Sequence, residues 1–198
     1  HDALPISPPI AGDLPRTISS REALDTLLEQ EFPGASGAIS PIRGGRQAAE
    51  QQIRKMDRKR YARSRNHLNG AVTGLSPYIR HGVLTLAEVR DAVFQSISNR
   101  DDGSKLINEL GWRDFWQRMW QELGDRIDDD QEEFKTGHNA SSYSRELPDD
   151  VRDGCTGLAC MDGFREELVS KGWLHNHARM WMAAWLVHWR HVHWKAGA

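Results

Sequence analysis

The sequence has few of the features that mark secreted, membrane or disordered proteins. Only two of its 198 residues are cysteines, Cys155 and Cys160, which is too few for a disulfide scaffold. A reducing compartment and a cytoplasmic location are therefore predicted. No apolar run approaches the ~18 residues of a membrane span, so no membrane contact is predicted. The net charge of −2 excludes a general attraction to nucleic acid or anionic lipid.

Motifs of several enzyme classes are also missing. The chain has no Walker loop, no G-x-G-x-x-G and no G-x-S-x-G, and no nucleophile triad is recognisable. Histidines cluster near the end, but His191 and His193 would point about 200° apart on a helix. His188 and His191 would share a face without a third ligand at suitable spacing. No metal site is predicted.

Tryptophan, by contrast, is abundant. There are eight Trp against three Tyr and five Phe. Most of them are expected to pack between helices, and some are candidates for stacking platforms or electron relays.

The pattern of apolar residues and helix signals predicts an all-α fold, an irregular multi-helix bundle. No stretch alternates with period two over five or more residues. Residues 1–40 are expected to form a lead-in of one helix and a loop, and 41–198 a helical domain that is incomplete at its C-terminus. Seven helices are predicted. The first starts at a Ser19 or Ser20 cap and ends at Gln30, the third starts at Ser76-Pro77 and the fourth starts at a Thr85/Glu88 capping box. The others cover residues 46–66, 104–123, 156–170 with Gly172 as the stop, and 174–193.

Hydroxyl residues and a glycine lie just before the helix that starts at Ser76-Pro77. Backbone N–H groups at such a helix start favour an anion, phosphate especially, and Thr73 and Ser76 add hydroxyl donors. The alternative is an ordinary Ser-Pro helix start.

Two further segments combine polar and aromatic residues on one helix face. Glu109, Arg113 and the indoles of Trp112 and Trp116 share one side by their spacing. This arrangement suits a heteroaromatic ligand with a phosphate. Composition alone favours the alternative, a surface ion pair over a core tryptophan.

The second such segment follows Gly172. Asn176, Arg179 and Met180 lie on one face, with Trp173 a turn earlier. A plain core helix would carry Leu and Ala at these positions, so the segment indicates a ligand site.

A basic stretch runs from Arg43 to Arg65. Nine cationic side chains face only Glu50 and Asp57, a local excess of seven positive charges in 23 residues. It fits a DNA-backbone footprint or a solvated helix face equally well.

Taken in order, these segments resemble the FAD-binding helical domain of the photolyase/cryptochrome family over about residues 41–198. The matching blocks are Tyr61-x-x-x-Arg65, Thr73-Gly-Leu-Ser-Pro-Tyr78, Glu109-Leu-Gly-Trp-Arg-Asp-Phe115, Thr156-Gly157, Gly172-Trp-Leu-His-Asn-His-Ala-Arg-Met180 and His193-Trp-Lys-Ala-Gly197. Val72 and Gly74 depart from the family pattern, since each replaces a hydroxyl residue of the phosphate loop.

The resemblance implies a role for each matching residue. The residues that would contact FAD are Tyr61, Thr73, Gly74, Leu75, Ser76, Arg113, Trp173, Asn176 and Arg179. Those that would touch a flipped-out pyrimidine dimer are Glu109, Trp112, Asn176 and Met180. Trp194 matches one member of the tryptophan chain that photoreduces the flavin.

The implied activity is that of a deoxyribodipyrimidine photolyase, a lyase in which light drives an electron from reduced FAD to the dimer. Damaged DNA is the expected partner, and the protein is expected to be a monomer. Two alternatives stay open, a cryptochrome-like flavin photosensor without repair and a helical interaction module without cofactor.

Overall fold

A computed structural model describes residues 15, 17–32, 39–99 and 101–198. Much of the predicted lead-in and part of the loop after the first helix lie outside these ranges. The described residues form ten α-helices, α1 Arg21–Glu31, α2 Arg46–Lys55, α3 Arg58–Ser64, α4 Ser76–Arg80, α5 Leu86–Gln95, α6 Asp101–Leu123, α7 Asp149–Asp153, α8 Ala159–Lys171, α9 Asn176–Ala184 and α10 Trp194–Gly197. They contain no strand beyond one isolated bridge between Ser144 and Val192, which confirms the all-α prediction.

Three predicted helix ends are confirmed, and each is formed by residues within one turn of the helix end. Ser20 accepts a hydrogen bond from the Ala23 N–H and starts α1. Thr85 and Glu88 form both halves of the predicted capping box at α5. Gly172 ends α8 in the left-handed conformation, with φ of 64°.

The single helix predicted over 46–66 is wrong, because the chain breaks between α2 and α3. Met56 is extended, with φ −66° and ψ 117°, and its side chain is buried in the core. The Asp57 carboxylate accepts from the Arg60 N–H at 2.9 Å and restarts the helix. An Asp that caps a backbone N–H offers the chain an alternative to helix continuation.

The helix predicted over 174–193 is also shorter than expected. It begins at Asn176, and after Ala184 a wide π-type turn covers Trp185–Trp189. His191 then takes a positive φ of 48°, which ends the helical path. Val192 is fully buried and pairs with Ser144, so tertiary packing diverts the chain.

Three predicted helix starts are displaced. α6 begins at Asp101 rather than at a Ser104 cap, and the Asn99 side chain accepts from the Asp101 N–H. α8 begins at Ala159, because Thr156 instead donates its hydroxyl to Asp162 at 2.6 Å. Ser76 is the first helical residue of α4, not its cap.

Two apolar clusters organise the described residues. The larger one gathers side chains from α2 to α6, namely Ala49, Met56, Tyr61, Leu75, Tyr78, Leu84, Val89, Val93 and Leu106. The smaller one joins Val151, Leu186 and Val192. A hydrogen bond of 2.5 Å from the Ser40 hydroxyl to the Lys171 carbonyl links the N-terminal part of the chain to the end of α8.

Much of the basic stretch is neutralised within the chain. Arg46 pairs with Glu50 and Glu88, at 2.8 and 2.6 Å. Further ion pairs join Arg54 to Glu50, Lys59 to Asp102 and Arg65 to Glu109. This pairing supports the solvated-face interpretation for these residues. In the described ranges, no helix is long and apolar enough to cross a membrane.

Candidate cofactor site

A cavity of about 740 Å³ lies between the larger core and the start of α9, within the size range of small-molecule sites. Its walls come from α3, the turn before α4, α4 itself, α6 and residues 172–179. The lining residues used below are Tyr61, Arg65, Thr73, Gly74, Ser76, Arg80, Glu109, Arg113, Trp173, His175, Asn176, His177 and Arg179. Most of the predicted cofactor residues, far apart in sequence, therefore share one cavity.

The first wall is built by Tyr61 on α3 and by Arg65, the residue that caps the end of this helix four positions later. Burial raises the pKa of the Tyr61 phenol, and the Arg65 guanidinium opposes this shift from 5.9 Å above the ring. Arg65 also binds the Glu109 carboxylate of α6 at 2.9 Å. The three side chains form one connected set that fixes the orientation of the Glu109 carboxylate.

The second wall is the turn at residues 72–77. Gly74 has φ of 63°, and a Cβ built there would lie 2.8 Å from Gln52 Nε2. Gln52 donates to the Thr73 carbonyl at 2.8 Å, and the Thr73 hydroxyl accepts from the Leu75 N–H at 3.3 Å. Because α4 has only five residues, its dipole contributes little, and the exposed groups of the turn must carry any anion binding.

The third wall is the N-terminus of α9. The His175 Nδ1 accepts from the His177 N–H at 3.1 Å and caps the helix, so the ring proton lies on Nε2. Burial, together with the neighbouring His177, lowers the pKa of His175 below its ordinary value of 6.5. The imidazole is therefore neutral at neutral pH. This cap places Asn176 and Arg179 at the cavity.

The charge of the lining favours a polyanion. Four guanidinium groups, those of Arg65, Arg80, Arg113 and Arg179, face a single carboxylate, Glu109. Arginine is well suited to phosphate because its planar fork matches the oxygens.

Three buried nitrogens of the lining lack a hydrogen-bond partner, Arg113 Nε, His175 Nε2 and His177 Nδ1. A buried polar atom without a partner costs free energy, so these nitrogens are unsatisfied groups in the wall behind the cavity surface. The guanidinium groups, together with the aromatic and amide side chains of the lining, fit a cofactor that carries phosphates and ring heteroatoms.

Four of the predicted site residues lie outside the lining. Leu75 is buried in the larger core, and only its backbone belongs to the turn. Trp112 is 57% exposed and packs edge-on against Phe115. Met180 is 55% exposed, and its sulfur accepts from Asn176 Nδ2 at 3.4 Å, which ties it to a lining residue. Trp194 contacts Asp130 instead.

Sequence reasoning missed several lining residues. Arg80, His175 and His177 were not singled out as ligand contacts, and Arg65 entered only through its spacing from Tyr61. A signal existed for His175, since it precedes a helix start, but its role as a cap needs the backbone geometry. The described residues contain no group of three side chains that could hold a metal ion.

The fold and the cavity define a helical protein whose cavity suits a phosphate-containing cofactor, and comparisons with known proteins show what it is similar to. Residues 106–198 match the family model described as the FAD binding domain of DNA photolyase. A deoxyribodipyrimidine photo-lyase of Streptomyces griseus is 28% identical over 128 residues, which cover 65% of this chain and 27% of that protein. A cryptochrome DASH of Natronomonas pharaonis is 27% identical over 191 residues, which cover 88% of this chain and 39% of that protein.

The fold is shared with a cryptochrome of Synechocystis sp. PCC6803, with a TM-score of 0.68 and 24% identity over 85% of this chain and 38% of that one. These findings confirm the similarity of the chain to the photolyase/cryptochrome family, and the cofactor that the family match indicates is FAD. The chain spans between about a quarter and two fifths of the length of these relatives.

Proposed function

We propose that this chain is the cofactor- and lesion-binding part of a light-driven DNA photolyase that acts on pyrimidine dimers. The observation that carries the proposal is the placement of Glu109. Its carboxylate lies in the wall of the cavity, partly exposed, and Arg65 holds it from one side. An oriented acceptor at a cavity rim suits a ligand that enters from solvent and donates hydrogen bonds.

The arginines of the cavity would bind the phosphates of FAD, and Asn176 and Trp173 would contact its ring system. When bound, FAD supplies the light absorption and the electron. The protein binds and positions the cofactor in the cavity.

On the solvent side, Asn176 and Met180 form a linked pair next to Glu109's cavity. A damaged base pair costs least to extrude from a duplex, which favours delivery of the dimer to this rim. The exposed indole of Trp112 offers a stacking surface, and such stacking contributes about 1–3 kcal/mol per base. Trp194 is assigned to the electron relay that reduces the cofactor.

The test uses the full chain, loaded with FAD, and an oligonucleotide that contains one cyclobutane dimer. We expect blue light to restore the intact bases. Glu109→Gln should lower repair per photon about 10-fold or more, because it removes one charge-assisted hydrogen bond to the dimer. FAD affinity should stay within about twofold, because the variant keeps the size of the side chain. Glu122→Gln, on the same helix and exposed, is the matched control.

Equal repair by the wild type, Glu109→Gln and Glu122→Gln would refute the assignment of Glu109. Light-driven reduction of bound FAD without any lesion binding would favour the photosensor alternative. A folded chain that does not bind added FAD would favour the interaction module.

A further inference from the structure

The acidic segment after α6 runs from Asp125 to Glu133. One of its carboxylates, that of Asp130, forms hydrogen bonds with two residues near the end of the chain. Asp130 Oδ1 accepts from the Trp194 indole N–H at 2.5 Å. Asp130 Oδ2 lies 3.3 Å from His193 Nε2. A single carboxylate thus bridges two adjacent aromatic side chains across 64 residues of sequence.

The hydrogen bonds of His193 determine which of its ring nitrogens carries the proton. His193 Nδ1 accepts from the Lys195 N–H at 3.2 Å, so Nδ1 is unprotonated and Nε2 carries the hydrogen. His193 is 1% exposed and therefore cannot rotate freely. It donates to Asp130 and fixes the carboxylate against the indole.

The surroundings hold this arrangement in place. The His193 ring stacks on Trp194 with centroids 5.8 Å apart, and Phe134 meets His193 edge-on at 5.6 Å. Lys195 reaches Asp128 at 3.5 Å, which anchors the same acidic segment a second time. The indole, the imidazole and the carboxylate form a preorganised unit.

We propose that Asp130 accepts the indole proton of Trp194 when Trp194 is oxidised by one electron. The inference rests on the proposed function, in which Trp194 belongs to the electron relay. One electron leaves the indole for the oxidant, a photoexcited flavin in the cell. The N–H bond breaks and an O–H bond forms on Asp130. The products are a neutral indolyl radical and a protonated Asp130, and return of the electron reverses both steps.

The electrostatics keep Asp130 in the form that can accept a proton. The hydrogen bond from Trp194, and then that from His193, lower the pKa of Asp130, so the carboxylate is ionised at neutral pH and its position beside the indole carries the assignment. Arg145 acts in the same direction. Loss of an electron makes the indole N–H far more acidic than in the neutral ring, and the acceptor already lies within hydrogen-bond distance. A positioned proton acceptor typically accelerates such a transfer about 10²–10⁴-fold.

The experiment needs no flavin. The full chain is oxidised by a photogenerated ruthenium(III) polypyridyl complex, and transient absorption separates the indole radical cation from the neutral radical. Subtraction of the Trp194→Phe signal isolates Trp194 among the eight tryptophans. Asp130→Asn keeps an acceptor oxygen for the indole but removes the base, and Asp129→Asn is the matched exposed control.

We expect the Trp194 radical cation to deprotonate about 100-fold more slowly in Asp130→Asn, and at the wild-type rate in Asp129→Asn. Asp130→Glu should restore most of the rate, which a purely structural role would not explain. Equal rates in the two Asn variants, or no Trp194-dependent signal at all, would overturn the proposal. Failure of FAD binding or of repair leaves this readout unchanged, so the two proposals fail separately.

Discussion

Replacing Gly74 with alanine tests whether the turn that lines the cavity depends on both backbone conformation and space. Gly74 has φ of 63°, a region that costs an L-residue about 1–2 kcal/mol. The new Cβ would also lie 2.8 Å from Gln52 Nε2, so this amide must move. Its movement breaks the hydrogen bond to the Thr73 carbonyl, which contributes about 1 kcal/mol. The expected total is about 2–3 kcal/mol.

The measurement is the free energy of unfolding of the full chain by chemical denaturation, without cofactor. Gly82→Ala is the matched control, because Gly82 has φ of 70° and no atom within 4 Å of an added Cβ. We expect it to cost only the backbone part, about 1–2 kcal/mol. In a Gln52→Ala background the obstructing amide is gone, so Gly74→Ala should then cost no more than Gly82→Ala.

Two results would refute this reasoning. If Gly74→Ala and Gly82→Ala cost the same in the native background, the contact with Gln52 has no energetic consequence. If the Gly74→Ala penalty is unchanged in the Gln52→Ala background, the cost arises elsewhere in the turn.

Two further predictions follow from the charged groups. Arg113→Met should raise the stability of the cofactor-free chain by about 1 kcal/mol, because it removes a buried nitrogen without a partner. The same variant should weaken FAD binding about 10-fold or more. Chemical denaturation measures the stability and FAD titration the affinity, and a loss of stability would contradict the first expectation. The pKa of Glu88 is lowered from 4.5 to about 2 by hydrogen bonds from the Thr85 backbone, Arg46 and the Thr85 hydroxyl. The ionised Glu88 therefore stabilises the folded chain fully above pH 4.5, and this stabilisation is lost as the pH falls towards 2. The wild type should therefore exceed Glu88→Gln in stability at about pH 6, and the difference should shrink steadily between pH 4.5 and 2; a constant difference in denaturation midpoints would contradict it.

Helix existence was largely predictable, and helix limits were predictable where a local signal decides them. The Thr85/Glu88 capping box and the Gly172 stop depend on residues within one turn of the helix end, and both were confirmed. The break at Met56 and the positive φ of His191 were not predictable, because burial of Met56 and of Val192 in distant clusters overrides the helical pattern.

The candidate site shows the same division. The spacing of Tyr61 and Arg65, and of Asn176 and Arg179, is sufficient to place each pair on one face of a helix. Pairing between segments is not visible in such spacing, and the ion pair of Arg65 with Glu109 joins helices that are distant in sequence.

The sequence by itself determined the helical class, the caps at Ser20 and Thr85, the order of the motifs and, through that order, the similarity to FAD-binding photolyases. These properties follow from local spacing, which a linear pattern records directly. Only the tertiary structure decided that four arginines and three residues with unpartnered nitrogens line one cavity. It also decided that the Asp130 carboxylate accepts a hydrogen bond from the Trp194 indole. Such contacts join residues tens of positions apart, and their geometry depends on how the helices pack, which no local pattern contains.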